Sequence, residues 1–470
     1  MTKTTDNPYY NLFIRQKNKQ YNVANASYSK RIEKLSVLQR AIEVTYRDKI
    51  REALYKDLKR PLIESDLVAV YLVVKEIKYI KANLHRWVNK QKVKTPITLL
   101  GTNSWTSYEP KGVCLILSPW NYAINLALSP LVAAIAAGNT VILKPSEIAE
   151  HSSSVISELV KSVFEEDEVA VIEGGVKTAQ HLLRLPFNHI FFTGSIPVGK
   201  IIMEAAAKHL TSVTLELGGK SPVIIDKSAN LKQTAEAVAW IKHFNCGQTC
   251  IAPDFVYIDE SILAKFLEYY KMALLKFYEN DASISTSYGR IVNKNNYRRL
   301  MSYLDDAKSH NAYFEIEGVT NEADKYIGPT VVLDLPEEAL LLKEEIFGPI
   351  LPIKTYKALE EVVDYMKSKE SPLALYVYAK NRKVINYLIK NIRAGGTGVN
   401  NNGLHFSNHH LPFGGSNTSG IGKAHGFYSF KEFSNERAVL KRYSIGPVKL
   451  LYPPYTKFKE LLARILIKWF

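Results

Sequence analysis

From Gly112 to Leu143 the chain carries no charged side chain. That run exceeds the ~20 apolar residues a membrane-spanning helix needs. Pro119, Asn121, Pro130 and Gly138 interrupt it, and a continuous spanning helix would not accommodate all four. It reads instead as strand (Val113–Ser118), turn, helix (Ser129–Ala137) and strand (Thr140–Leu143), all buried. A strand–helix–strand unit buried on every side needs layers above and below it, so it commits the chain to an α/β core. The 470 residues, 46% hydrophobic and 23% charged, suit a soluble globular protein of two or three domains rather than a disordered or collagen-like chain.

The rest of the chain agrees with that core. Residues 30–90 are helical in pattern. Lys30–Ile50 places Ile32, Leu35, Leu38, Ile42 and Ile50 on one face, and Leu67–Ile80 is a second apolar run. After residue 112, β-branched runs alternate with helical stretches: Val113–Leu117, Thr140–Leu143, Val169–Glu173, His189–Phe192, Val213–Leu215 and Pro222–Ile225. A second series follows at Phe255–Ile258, Tyr288–Ile291, Thr330–Leu333, Ile350–Thr355 and Leu373–Tyr378. Such alternation implies parallel strands joined by crossovers, hence two α/β units. Thr95–Tyr108, with Gly101 in its middle, reads as a hairpin leaving the body. It is a candidate for pairing with another subunit.

The net charge of +15 raises nucleic acid or an anionic membrane as partners. The excess sits at the ends: residues 1–100 carry +12, residues 431–470 carry +6, and the 330 between carry −3. Three cysteines, Cys114, Cys246 and Cys250, exclude a disulfide scaffold and suit a reducing compartment. Met1 to Tyr10 has no apolar stretch of the signal-peptide kind.

Several motifs could carry chemistry. Gly194–Lys200 follows a strand and opens a helix, where backbone N–H groups can receive phosphate. It misses the phosphate loop of NTPases because Ile201 stands where Ser or Thr would hold Mg²⁺, and it misses Gly-x-Gly-x-x-Gly because the second glycine is absent. A plain strand–helix turn is the alternative. Around Cys250, the neighbours Gly247, Gln248 and Thr249 suggest an accessible loop end, and a thiol there could act as a nucleophile if its thiolate is favoured. Zinc is disfavoured: His243, Cys246 and Cys250 lack a fourth ligand at the right spacing, and Cys114, His405, His409 and His410 are distant. Glu216, among leucines and before Gly218–Gly219, could be poorly solvated and so a useful base. Asn121 follows the strand Val113–Leu117, where α/β active sites lie. Lys144 and Glu147 follow another strand and could hold a ribose and a phosphate, or simply pair. Glu344–Pro349 reads alone as a turn.

Taken together and in order, these stretches resemble the aldehyde dehydrogenase superfamily, from Ser118-Pro119-Trp120-Asn121 to Leu411-Pro412-Phe413-Gly414-Gly415. The Ala252-Pro253-Asp254 that follows the cysteine, and the ending Ser419-Gly420-Ile421-Gly422, are similar to the class 3 group of fatty and aromatic aldehyde dehydrogenases. The resemblance implies a Rossmann-like NAD(P)-binding domain (1–90 and 108–213), an α/β catalytic domain (214–411), a β-hairpin oligomerisation arm (91–107 and 412–440) and a tail (441–470). It implies an NAD(P)-dependent oxidation of a medium- or long-chain aliphatic or aromatic aldehyde to the acid, in a homodimer. Cys250 would be the nucleophile, Asn121 the oxyanion donor and Glu216 the base that activates water. Trp120, Lys144, Glu147, Gly194, Ser195, Gly199, Glu345 and Phe347 would hold the cofactor. Glu147 favours NAD, since a carboxylate at the ribose repels a 2′-phosphate; class 3 members accept NADP too. Ala123, Ile196 and Pro197 depart from the family pattern, which bears on local loop shape.

Two alternatives keep part of this reading. A CoA-acylating relative would pass the acyl group to CoA, against which Glu216 argues, and a phosphate-loop NTPase is opposed by Ile201. No nucleic-acid partner is expected, since the basic ends lie outside every motif. Cys246 could form a reversible disulfide with Cys250. In Phe458–Phe470, Phe458, Leu461, Leu462, Ile465, Leu466 and Trp469 share one helical face. That helix could pack on its own body or a partner subunit, cover a substrate funnel or touch a membrane peripherally, so the expected location is cytoplasmic, with membrane association left open.

Overall fold

The computed structural model describes residues 6–444 and 446–469. The first five residues of the polar N-terminus and Phe470 of the tail lie outside these. The uncharged segment folds as β1 (Val113–Leu117), a helix, and β2 (Thr140–Lys144), with both strands fully buried. Its helix runs Ala123–Ala137 rather than starting at Ser129, and Pro130 lies inside it. An internal proline costs about 3 kcal/mol. Leu128, Leu131, Val132 and Ile135 are each buried there, and about 1.5–3 kcal/mol per buried side chain outweighs that cost.

The first sheet also contains β3 (Val169–Val171), β4 (His189–Gly194) and β5 (Ser212–Leu217). Its order is β5-β4-β1-β2-β3, all parallel, with Gly420–Ile421 added antiparallel outside β5. The chain builds outward from β1 to β3, then returns to the other side of β1 for β4 and β5. Strand order therefore reverses between β1 and β4, and a crevice opens at their C-terminal ends.

One face of this sheet is covered by the helix Ala123–Ala137 and, beyond it, the N-terminal helices Tyr28–Arg40, Arg47–Leu58 and Leu72–Val88. Leu35, Ile50, Val73, Ile77 and Leu84 enter the shared core. The expected single helix over Lys30–Ile50 is corrected. A wide π-type turn, Ala41–Thr45, divides it, and a second such turn, Asp66–Tyr71, leads into Leu72–Val88. Each added residue per turn rotates the apolar stripe, which lets both segments keep facing the same core.

The second sheet holds β6 (Pro222–Ile225), β7 (Phe255–Asp259), β8 (Tyr313–Ile316), β9 (Thr330–Leu333), β10 (Ile350–Tyr356), β11 (Ala374–Tyr378) and β12 (Gly396–Val399). Its order is β8-β9-β10-β7-β6-β11-β12, parallel except for β8. Tyr288–Ile291, expected as a strand, is an extended loop. Its apolar residues are buried, but its main chain bonds elsewhere: Arg290 N–H donates to Leu58 O and Ile291 N–H to Lys325 O.

The hairpin expected over Thr95–Tyr108 is also corrected. Ile97–Leu99 is a short 3-10 turn, and Thr102–Pro110 pairs along its length with Ser434–Arg442, over 300 residues away in sequence. Gln91–Lys92 adds a short third strand. Period-2 patterning identifies a strand but not its partner. Of the stretch 412–440, only the part from Ser434 joins this arm; Phe413 packs in the second core and Gly420–Ile421 in the first sheet. The tail helix Lys457–Trp469 has no fully buried side chain, and Leu462 and Leu466 on its apolar face are half-buried. Among the described residues no helix is long and apolar enough to cross a membrane.

Asp57, buried near the end of Arg47–Leu58, supplies the cap that the helix Glu150–Val163 lacks. Its Oδ1 accepts from His151 N–H (3.2 Å) and its Oδ2 from the N–H (2.8 Å) and Oγ (2.6 Å) of Ser152. Asp57→Ala leaves both donors of buried Ser152 without a partner and frees the partly buried His151 N–H, at a cost of about 1–3 kcal/mol. Thermal unfolding should show a lowered midpoint for Asp57→Ala and a smaller drop for Asp57→Asn.

Candidate active site

The crevice between β1 and β4 receives residues from both sheets. β1 delivers Trp120 and Asn121. β4 delivers Gly194 and Ser195 ahead of the helix Ile196–Ala207. β5 ends at Glu216–Leu217, and Gly218–Gly219 carries the chain across to β6 in the second sheet. From that second unit the helix Leu231–His243 and the turn Phe244–Gly247 lead to Cys250.

Two cavities meet here. A cleft of about 650 Å³ is lined by Trp120, Asn121, Gly194, Ser195, Glu345 and Phe347. A narrower channel of about 290 Å³ is lined largely by apolar side chains, among them Leu72, Leu126, Trp240, Ile241, Phe406 and Phe413. Cys250 and Glu216 line both. A reacting atom at that junction would be open to one molecule in the cleft and another in the channel.

The electrostatics of the junction follow from burial. Cys250 is half-buried, and its thiol is pushed up to about 12, first by burial and then by the carboxylates of Glu345 and Glu216. The N–H groups of Cys250 and Ile251 act in the opposite direction, favouring the thiolate. Glu216 is buried, and neither carboxylate oxygen has a hydrogen-bond partner in the protein. Burial raises its proton affinity well above the ordinary carboxylate range, with Lys423 partly offsetting it and Glu432 adding to it. An unpartnered buried carboxyl group is costly, and one facing a junction of two cavities is free to bond water. Asn121 is buried, with one N–H of its amide donated to Gln248 O at 3.1 Å. A primary amide has two such donors, so one remains.

The cleft suits a dinucleotide. Ser195 is the N-cap of Ile196–Ala207, with no side chain capping the helix's first N–H groups, and Pro197 occupies its first turn where a missing N–H costs nothing. Those free donors and the helix dipole favour phosphate. Gly199 lets this helix press on β5: a Cβ there would come within 2.8 Å of Leu217 Cδ2. Gly199 therefore acts through packing and does not line the cleft. Trp120 and Phe347 meet edge to face at 5.4 Å across one wall, and Phe347 adopts a left-handed φ of 51°. Glu345 folds over the crossing segment, where a Cβ on Gly218 would lie 2.2 Å from its Oε2. Burial, then Asp254, raises its carboxyl to about 8. Lys144 and Glu147 pair with each other at 2.8 Å at the end of β2, beside the cleft but outside the residues that line it.

Comparison with known proteins decides the family. The sequence model of the aldehyde dehydrogenase family matches residues 12–439. The chain belongs to the aldehyde dehydrogenase family. It is 39% identical over 434 residues to 4,4'-diaponeurosporen-aldehyde dehydrogenase of Staphylococcus aureus, covering 92% of this chain and 94% of that protein. It is 40% identical to aldehyde dehydrogenase family 3 member A2 of Macaca fascicularis, over 91% of this chain and 88% of the relative. A solved structure described as the substrate-bound state of Staphylococcus aureus AldH superposes with a TM-score of 0.93 at 38% identity, over 97% of this chain and 99% of that one. As a member of the family, the protein oxidises aldehydes with NAD or NADP.

This aldehyde dehydrogenase also holds residues that no sequence pattern flagged. Arg60, Asn245 and Gln248 tie the Asn121 turn to the cysteine loop. Lys423 Nζ donates to the carbonyls of Gly414 (2.6 Å) and Gly415 (2.8 Å) beside Glu216. The channel wall contains buried Glu76, His409 and His425, with His409 Nδ1 2.5 Å from Glu76 Oε2. These groups are scattered from residue 60 to 425, so neither spacing nor periodicity marks them. Cys246, offered as a redox partner for Cys250, is a free thiol fully buried in a tyrosine-rich core with Tyr278 and Tyr288.

Cys114 and Cys246 are fully buried, so alkylation reports on Cys250. Because burial and the nearby carboxylates raise the thiol to about 12, the thiolate is a minor species at neutral pH. In the cofactor-free enzyme, iodoacetamide labelling should rise about tenfold per pH unit from pH ~7 to ~10 and vanish in Cys250→Ser. A plateau near pH ~8 would contradict this assignment.

Proposed function

We propose that Cys250 is the nucleophile, Asn121 the oxyanion donor and Glu216 the hydrolytic base of a non-acylating, NAD-preferring dehydrogenase for long apolar aldehydes. The observation that carries this reading is that Cys250 and Glu216 line both the cofactor-sized cleft and the apolar channel. Cys250 Sγ gives its proton to water in the open cleft and adds to the aldehyde carbon, forming a thiohemiacetal. The remaining N–H of Asn121 and the N–H of Cys250 hold the oxyanion, each donor being worth about 3 kcal/mol. A dinucleotide held in the cleft would supply the hydride acceptor that turns the thiohemiacetal on Cys250 into a thioester. Glu216 then takes a proton from water, the hydroxide adds to the thioester carbon, and the carboxylic acid leaves as the thiol is restored. The free oxygens of Glu216 support a water-activating role over transfer to CoA.

Gly194, Ser195 and the start of Ile196–Ala207 would hold the pyrophosphate. Trp120, Phe347 and Glu345 would hold the nicotinamide end, and Lys144 with Glu147 the adenosine ribose. Glu147, 41% exposed and paired with Lys144, can accept from a 2′-hydroxyl and would repel a 2′-phosphate, which supports NAD. The apolar channel favours a long hydrocarbon chain, and the relative named for diaponeurosporen-aldehyde supports such a substrate. The arm of Thr102–Pro110 and Ser434–Arg442 would pair subunits in a homodimer. The first sheet with the N-terminal helices would form the cofactor domain and the second sheet the catalytic domain.

Cys250→Ala should abolish NADH formation. Glu216→Gln should release about one equivalent of NADH per site and then stall, with the acyl-enzyme visible by intact mass; unchanged steady-state turnover would remove Glu216 from the mechanism. Each buried methylene is worth about 0.8 kcal/mol. kcat/KM should therefore rise by roughly 100-fold or more from propanal to decanal, approaching a plateau where the channel ends. Added CoA should leave the rate unaltered. Because burial raises Glu216 and it must be ionised to act, the deacylation rate should fall as pH drops, with the fall setting in above the ordinary carboxylate range.

A further inference from the structure

Arg60 is 1% exposed, and the mechanism above leaves it unused. Burying an arginine is costly unless its donors are engaged, and here Nε and Nη2 are engaged while Nη1 finds no partner. Its Nε and Nη2 donate to Asn245 Oδ1 at 3.1 and 2.7 Å, and Nη2 also donates to the main-chain oxygen of Asn121. The guanidinium lies over the Tyr122 ring at 4.8 Å. Asn245 closes the circuit: its Nδ2 donates to Asn121 O (3.3 Å) and Gln248 O (3.1 Å). The Asn121 amide donates to that same Gln248 oxygen. On the outer side, Glu64 Oε2 accepts from Asn245 N–H at 3.0 Å.

This circuit joins three parts of the chain that meet only at the active site: the end of an N-terminal helix, the turn after β1, and the turn that delivers Cys250. The last of these is strained. Asn245 and Cys246 have φ of 51° and 54°, left-handed values that a non-glycine residue holds only when its surroundings enforce them. The fork of a guanidinium can hold two acceptors at fixed angles, which an ammonium cannot. With one Asn121 N–H anchored on Gln248 O, the direction of the other depends on how the Asn121 peptide sits against the 245–248 turn.

We infer that Arg60 is a positioning residue for the oxyanion hole. It locks the Asn121 peptide to the strained turn before Cys250, so that the free Asn121 N–H and the nucleophile keep the spacing a tetrahedral intermediate needs. This rests on the assignment of Asn121 as oxyanion donor, and the test separates the two. Arg60→Met, Asn121→Ala and the double variant are assayed for kcat, both KM values and thermal midpoint. A misplacement of about 1 Å in such a site can cost up to ~100-fold. Arg60→Met should lower kcat by on the order of 10–100-fold, with the KM values for aldehyde and NAD held within about threefold. In the Asn121→Ala background the same substitution should cost less than about twofold, because residues acting through one group are not additive. Arg60→Lys should recover only part of the loss.

Asn245→Gly removes the middle of the circuit while tolerating the left-handed φ. It should show the same dependence on Asn121, and it decides the matter if Arg60→Met does not fold. Wild-type kcat in Arg60→Met overturns the inference. So does an equal fold-loss in both backgrounds, or a loss shared by kcat and both KM values. Wild-type kcat in Asn121→Ala overturns the oxyanion assignment itself.

Discussion

The structure depends on one crossing. β5 belongs to the first sheet, and within five residues, through Gly218 and Gly219, the chain has entered β6 of the second. The last polar residue before the crossing is Glu216. The second sheet's own loops carry Cys250 and Glu345 back to the same point, and a Cβ on Gly218 would meet the Glu345 carboxylate at 2.2 Å and have to push it aside. The two α/β units therefore meet where their strands exchange. The residues at that meeting are buried by both, and the Glu216 carboxyl finds no hydrogen-bond partner in either.

That burial has an energetic consequence that the site exploits. Glu216, Glu345 and Cys250 all favour their neutral forms, each chiefly through loss of solvent. Three potential anions in one small region cannot all ionise together. Neutrality keeps the frame stable, and whichever group ionises does so at the expense of the others. Lys423, pinned by two glycine carbonyls, is the cation set against Glu216. The apolar channel wall and the crevice at the reversal of strand order bring two reactants to this region from opposite sides.

Much of this was legible in the chain. The interrupted uncharged run Gly112–Leu143 specified strand, helix and strand because Pro119 and Gly138 punctuate apolar residues. The short motifs pointed to Asn121, Ser195, Glu216 and Cys250, each near the end of a strand or turn where a local pattern suffices, whereas Glu345 and Phe347 stood out only through the family resemblance. Patterning failed where the partner was remote. The strand at Thr102–Pro110 was recognisable, but its partner at Ser434–Arg442 was not, since alternation carries no address. Tyr288–Ile291 has strand-like residues yet uses its main chain to bond Leu58 and Lys325.

The sequence by itself determined the fold class, the family and the chemical types at the site, because these rest on local spacing and on which residues can be buried. Only the tertiary structure decided the electrostatics and the alignment. The raised acids at Glu216 and Glu345 come from solvent excluded by two sheets at once. The clamp on Asn121 comes from Arg60, whose nearest functional partners lie 61 and 185 positions further along the chain. Burial and hydrogen bonding act through space, and a string of residues encodes them only once it has folded.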